Sequence, residues 1–140
     1  MAASYWLLKT EPSTYSFDQL MKDKRTNWNG VRNYQARNHL KKMAKGDFAL
    51  IYHSGDEKAV VGVAKVVREA YADIDPEGGD WAQVDIEGGK KLKTPVSLSL
   101  IKQTKALSDL PLIKQSRLSV MPVTEMHYQL LLDLGGISGG

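Results

Sequence analysis

Two neighbouring runs constrain this chain most. FALIYHS, residues 48–54, is apolar on both of its alternating faces, and VVGVAKVVREAY, residues 60–71, is long and rich in β-branched side chains. A strand that is apolar on both faces has to be covered on both, which puts it inside a sheet and not at its margin. The two runs are separated by a short polar segment around Gly55-Asp56-Glu57-Lys58, so they are expected to pair as a hairpin across a tight turn. Gly62, inside the second run, marks a bulge or a close approach by other backbone.

The flanking segments fill in around that hairpin. Tyr5 to Thr10 is aromatic and branched and stops before Pro12, which has no N–H for a sheet ladder, so it is expected as a strand. Ser16 and Gln19 have the spacing of a capping box, and Phe17, Leu20 and Met21 make the stripe of a short helix ending near Asp23. A second helix is expected from Asn33, with Ala36, Leu40 and Met43 on one face and Gly46 as its stop. WAQVDIE, residues 81–87, alternates as a half-buried strand, with Trp81, Gln83 and Asp85 on one face. GGDW and EGGKK around it are expected as turns; neither Gly pair leads into a helix, which argues against a phosphate-cradling loop.

KTPVSLSLIKQTKAL is best taken as strand then helix, with Ser97 as cap. RLSVMPV is a last strand, and Thr124 caps a final helix whose Leu130, Leu131 and Leu134 turn inward before Gly135. The order predicts one α+β domain over residues 1–135, with a mainly antiparallel, barrel-like sheet, and a frayed tail at 136–140.

Charge is uneven along the chain. Residues 1–46 carry nine Lys/Arg against three Asp/Glu, residues 47–87 three against ten, and residues 88–140 seven against three. Two basic ends meeting in space, with the acidic middle turned away, would make a positive face suited to a polyanion; clustered signs on a solvated surface are the alternative. With no cysteine, disulfides, thiolate zinc sites and a cysteine nucleophile are excluded. No run approaches the ~20 apolar residues of a membrane span, and the start lacks the pattern of a signal peptide, so a soluble, cytoplasmic protein is expected.

TNWNGVRNYQARN, residues 26–38, surrounds a tryptophan with amides and guanidinium groups. Asn29-Gly30 has turn chemistry, which would set Trp28 on a loop just before the second helix. A tryptophan there either closes one end of the barrel together with Tyr34, or lines a pocket where a planar heterocycle stacks and its edge meets Asn33, a donor and acceptor. Arg37, Lys41, Lys42 and Lys45 follow on the helix, and Lys114 and Arg117 approach from a late loop. Such cations suit phosphates beside a base pocket, or form a solvated face.

Catalytic signals are weak by comparison. His39, His53 and His127 are far apart, with no metal-ligand spacing, so no metal site is expected. His39 and His127 are expected at helix surfaces or ends. His53 and Ser54 are adjacent on a strand and point to opposite faces, which rules out a simple dyad. Glu11 stands as a lone carboxylate, a general base only if a partner comes to it.

YWLLKTEPSTYSFDQL, TNWNGVRNYQARNHLKKMAKGD, IYHS, VVGVAKVVREAY and RLSVMPV together closely resemble the EVE domain family, over Tyr5 to Gly135. The resemblance implies a PUA-like pseudo-barrel related to YTH domains, and recognition of a modified base in DNA or RNA. By motif position it places Trp28, Val31, Arg32, Asn33 and Tyr34 around a base pocket, Lys9 and Glu11 on its wall, and His53 and Ser54 beside them. Arg37, Lys41, Lys42 and Arg117 are then expected on flanking phosphates, with no cofactor and no catalytic residue. A stacked Trp28 would make Trp28→Ala cost ~1–3 kcal/mol of binding and leave the fold intact. Two other classes stay open: a nucleotide-modifying or nucleotide-cleaving enzyme using Glu11 or His53, and a protein-interaction module.

Overall fold

The computed structural model describes residues 3–137. The elements run β1 (Tyr5–Thr10), α1 (Phe17–Asp23), β2 (Arg25–Trp28), α2 (Tyr34–Lys42), β3 (Phe48–His53), β4 (Ala59–Ala72), β5 (Ala82–Ser97), α3 (Leu98–Gln103), a 3-10 turn (Lys105–Leu107), α4 (Pro111–Lys114), β6 (Val120–Val123) and α5 (Glu125–Leu134). The strands form one six-stranded sheet in the order β2-β5-β4-β3-β1-β6. Only β1 and β3 run parallel; the other neighbours are antiparallel. The fold is therefore α+β with a mainly antiparallel sheet. The sheet curls without closing, because β2 and β6 remain unpaired edges, so the expected barrel has a seam.

The central hairpin forms as its composition requires, with Leu50, Ile51, Val60 and Ala64 almost fully buried. Ile51 faces Gly62 while Tyr52 faces Val60, so Val61 is the extra residue of a β-bulge. Gly62 is also a point of close approach, though by a side chain and not by backbone: a Cβ there would run into the Phe17 ring.

Three local expectations change. EGGKK is not a turn: β5 runs unbroken through Gly88 and Gly89 for 16 residues. A Cβ on Gly89 would lie 2.7 Å from the Val63 carbonyl oxygen, so the glycines let two strands cross closely with shifted register. Trp81 precedes β5 and stacks on Tyr34 instead of sitting in the strand. Arg25–Trp28 is a short edge strand on β5, with Trp28 opposite Val84, so Trp28 ends a strand and does not sit on a loop.

Ser16 caps α1 by accepting from the Gln19 N–H at 3.0 Å, but the Gln19 side chain donates to Asp23 and does not return to Ser16, so the box is half formed. Thr124 caps α5 as expected. His127 on that helix is buried, 3.2 Å from Asp109, and not on the surface; His39 is half-buried near the Trp6 ring. Leu131 and Leu132 are fully buried, while Leu130 and Leu134 are only partly so. Gly136 and Ile137 remain bonded to the end of α5, and the rest of the expected tail, 138–140, lies outside the described residues. Asp47 is buried and fully satisfied, accepting from the Ser4 N–H, the Trp6 indole and the Ala44 N–H, each at 2.9 Å. It locks the start of β1 to β3 and the end of α2.

Candidate functional site

A hollow of about 500 Å³ opens at the seam of the sheet. One wall is the end of β1, Lys9 to Glu11; the other is the β2 edge, Thr26 to Trp28; Asn29 to Arg32 form a lip, and Thr14, Tyr15 and Ser119 complete the lining. The volume lies within the range of small-ligand sites. Because the seam leaves strand edges uncovered, amides and hydroxyls gather around it as the sequence provides them.

Trp28 sits in this wall but only 8% of it is exposed, and Tyr15 packs edge-on against its ring at 82°. It serves the core and the hollow at once: a strip of indole is available to a ligand, not a whole face. Most of the ring is packing, so its removal is expected to cost stability as well as binding surface.

The lip is held by an electrostatic latch. The Arg32 guanidinium donates to Asp73 at 2.8 Å and to Asp75 at 2.9 Å, and Asp73 also accepts from the Gly30 N–H at 2.9 Å. Arg32 beside it, with the Gly30 N–H adding, holds the Asp73 carboxyl below the usual carboxylate range. Asp75 is held low first by the Glu77 N–H and then by Arg32. Asp73 in turn raises the Arg32 pKa. On the opposite wall, burial pushes the Lys9 pKa down; its ammonium donates to the Ser116 carbonyl at 2.7 Å and lies 5.8 Å from the Tyr52 ring centre. Burial raises the Tyr15 phenol, whose hydroxyl donates to Asp23 at 2.8 Å.

Of the residues expected around the pocket, the hollow brings together Lys9, Glu11, Trp28, Val31 and Arg32. The other four face elsewhere. Asn33 is the N-cap of α2, its side-chain oxygen accepting from the Ala36 N–H at 2.9 Å, and it borders a separate hollow with Lys114 and Arg117. Tyr34 is 66% exposed and stacks on Trp81 at 5.2 Å, outside the hollow. His53 ends β3 and is buried, its Nε2 accepting from the Phe17 N–H at 3.0 Å and its Nδ1 2.7 Å from Glu57. That pattern sets the proton on Nδ1 and occupies both ring nitrogens. Ser54 donates its backbone N–H to Thr10 and lines a third hollow.

The acidic middle of the chain is not turned away from the basic start. It folds against α2, where Asp80 accepts from Lys41 at 2.6 Å and its carbonyl accepts from Arg37 at 3.1 Å. Lys41 and Arg37 hold the Asp80 carboxyl below its ordinary range, Lys41 most strongly. Lys42, Lys114 and Arg117 have no carboxylate partner among the described residues.

Thr10, Thr14, Tyr15, Thr26, Asn27, Asn29, Gly30 and Ser119 also line the hollow. Thr26 to Gly30 lie inside the amide-rich run of residues 26–38; Tyr15 reaches the hollow from the turn after β1, and Ser119 from just before β6, its carbonyl accepting from the Lys9 N–H. Among the described residues, no cluster of three or more His, Asp or Glu side chains is placed to hold a metal ion. Nor is any helix among them long and apolar enough to cross a membrane.

Residues 4–134 match the EVE domain family. Thymocyte nuclear protein 1 of Gallus gallus is 35% identical, over 93% of this chain and 68% of that protein. A crystal structure of a protein from Agrobacterium tumefaciens superposes with a TM-score of 0.93 at 38% identity, covering 99% of this chain and 97% of the other. The human THYN1 protein, solved in complex with DNA containing 5-methylcytosine, superposes with a TM-score of 0.87 at 30% identity, covering 98% of this chain and 100% of that one.

Proposed function

Because the chain belongs to the EVE domain family, we propose that it is a nucleic-acid-binding domain that reads a modified base, held in the seam hollow, and that it is not an enzyme. The observation that carries this reading is the hollow itself, where an indole strip, amides and hydroxyls converge between the end of β1 and the β2 edge. The complex of the similar human protein with 5-methylcytosine DNA supports it. In this reading Trp28 and Val31 contact the base plane, and Asn27, Asn29 and Thr26 read its edge. Lys9, Glu11 and Arg32 border it, the last two carrying opposite charges. Lys42, Lys114 and Arg117 meet flanking phosphates. The protein would act in an aqueous compartment, the cytoplasm by our reading.

The enzyme alternative lacks a positioned pair. His53 spends both nitrogens inside the fold, and the Glu11 carboxylate accepts from Ser13. Calorimetry against matched oligonucleotides, DNA and RNA, with and without 5-methylcytosine and other base modifications, tests the proposal. Tighter binding of a modified member, with no new product by mass spectrometry, is the expected outcome. Equal affinity across the panel refutes base reading, a new product refutes the binder, and affinity indifferent to salt points to a protein partner instead.

A further inference from the structure

We propose that a second hollow, next to the first, binds the nucleotide adjacent to the held base and grips its phosphate between Lys9 and Lys58. The inference rests on the seam hollow being the base site. This second hollow, of about 300 Å³, is bordered by Lys9, Tyr52, Ser54 and Lys58 together with Leu98 and Ser116. Lys9 lines both cavities, so a strand leaving the first over its ammonium enters the second.

The chemistry of the lining fits a phosphodiester and its sugar. Two ammonium groups and two serines supply donors, and Leu98 gives an apolar surface. Lys9 uses one N–H on the Ser116 carbonyl and keeps two for a ligand. Its burial disfavours the lone charge, which an incoming phosphate would offset. Lys58 sits at φ 48 on the β3–β4 turn, and its carbonyl accepts from the Leu98 N–H at 2.8 Å, so the turn is tied to the start of α3. Among the residues that line this hollow there is no carboxylate: Glu57 of the same turn is bonded to His53, and Glu11 lines the first hollow, its carboxylate lying behind Gly55, which separates it from the second.

The α2 side offers a phosphate less. Arg32, Arg37 and Lys41 sit beside Asp73, Asp75 and Asp80, so an anion arriving there meets like charge. Lys114 and Arg117 adjoin the same path, because Ser116, whose carbonyl accepts from Lys9, lines both their hollow and the second one.

The test uses the whole chain with Lys58→Asn, which removes the charge while tolerating the left-handed backbone, and Lys41→Ala as the comparison. Probes are a short single-stranded DNA with one 5-methylcytosine, its unmodified counterpart, and the 5-methylcytosine deoxynucleoside alone. For the strand, Lys58→Asn should flatten the slope of log affinity against log salt by about 0.7, one phosphate's worth. Nucleoside affinity should stay as in wild type, and Lys41→Ala should leave the slope nearly unchanged. An unchanged slope in Lys58→Asn, with modified and unmodified strands still distinguished, overturns the second hollow alone. Loss of that distinction in wild type overturns the base reading, while a flattened slope would keep the phosphate grip. A wild type that binds no strand overturns both.

Discussion

Trp28→Ala separates the two duties of the indole. The ring is only 8% exposed, and a tryptophan buries roughly 150–250 Å². At ~25 cal/mol per Å² that is about 4–6 kcal/mol as an upper bound, and large-to-small truncations of such residues cost about 3–5 kcal/mol. For a domain of this size each kcal/mol lowers Tm by about 3–4 °C, so a fall of roughly 10–20 °C is expected. Domain stabilities of about 5–15 kcal/mol leave most of the chain folded at low temperature. A freely exposed stacking platform is worth ~1–3 kcal/mol per base; with so little of this ring showing, binding should weaken toward the lower end, about 5-fold. Thermal unfolding followed by circular dichroism gives the first quantity. Calorimetry on a strand containing 5-methylcytosine, well below the variant's Tm, gives the second. A Tm within about 2 °C of wild type would show that the ring is not core. A folded variant with undiminished affinity would show that the hollow is not where the base sits.

Arg32→Lys loses the forked contact to Asp73 and Asp75, so exchange of the Gly30 amide should quicken while that of β3 stays slow; equal rates at Gly30 would refute the latch. The folded Asp73 pKa is lowered, so its contribution is fully present above the unfolded value of about 3.9 and is lost as pH falls through the folded one. The latch should therefore hold at neutral pH and release only in acid, and an NMR titration placing Asp73 at or above its ordinary value would contradict it. Gly62→Ala forces a methyl onto the Phe17 ring and should destabilise by ~1–3 kcal/mol in urea unfolding, with partial relief when combined with Phe17→Leu; no loss would mean that the Phe17 ring has room to move aside. His53→Ala removes the acceptor of the Phe17 N–H and should cost about 1–3 kcal/mol of stability, leaving oligonucleotide affinity within about 2-fold. A collapse of affinity in a folded variant would bring His53 back to the ligand.

What was legible in the sequence follows from how far apart the interacting residues are. The Ser16, Ser97 and Thr124 caps each bond to an N–H three residues on, and the β3–β4 hairpin joins neighbours. Periodicity and turn chemistry report such contacts directly. Arg25–Trp28 escaped because a four-residue edge strand with three polar members has no strand pattern of its own; it exists because β5 offers a partner 56 positions from Trp28, which Asn27 also reaches through Gln83. The Gly88-Gly89 pair misled for a related reason. Glycine marks both a turn and a close strand crossing, and only Val63, far back in the chain, decides which.

The charge distribution misled more instructively. Summing signs along the chain put six net positive charges in residues 1–46 and left their fate open. The fold spends three of them on carboxylates about 40 residues away, as Arg32 meets Asp73 and Asp75 and as Arg37 and Lys41 meet Asp80. A helix face that looked like a phosphate track is thus partly neutralised, Arg37 and Lys41 sharing Asp80, and the positive field available to a polyanion shifts toward cations with no carboxylate partner among the described residues, such as Lys42, Lys58, Lys114 and Arg117. Affinity for nucleic acid should then depend on salt through these residues more than through α2's paired face. The seam follows the same logic: neither β2 nor β1 announces a pocket by itself, and the hollow arises only because the curled sheet stops short of pairing its edges. The residues expected at the base site divide accordingly: those at the end of β1, the β2 edge and the lip, such as Lys9, Trp28 and Arg32, meet in the hollow, whereas Asn33, which caps its own helix, and His53, which accepts from the Phe17 N–H 36 positions back, do not.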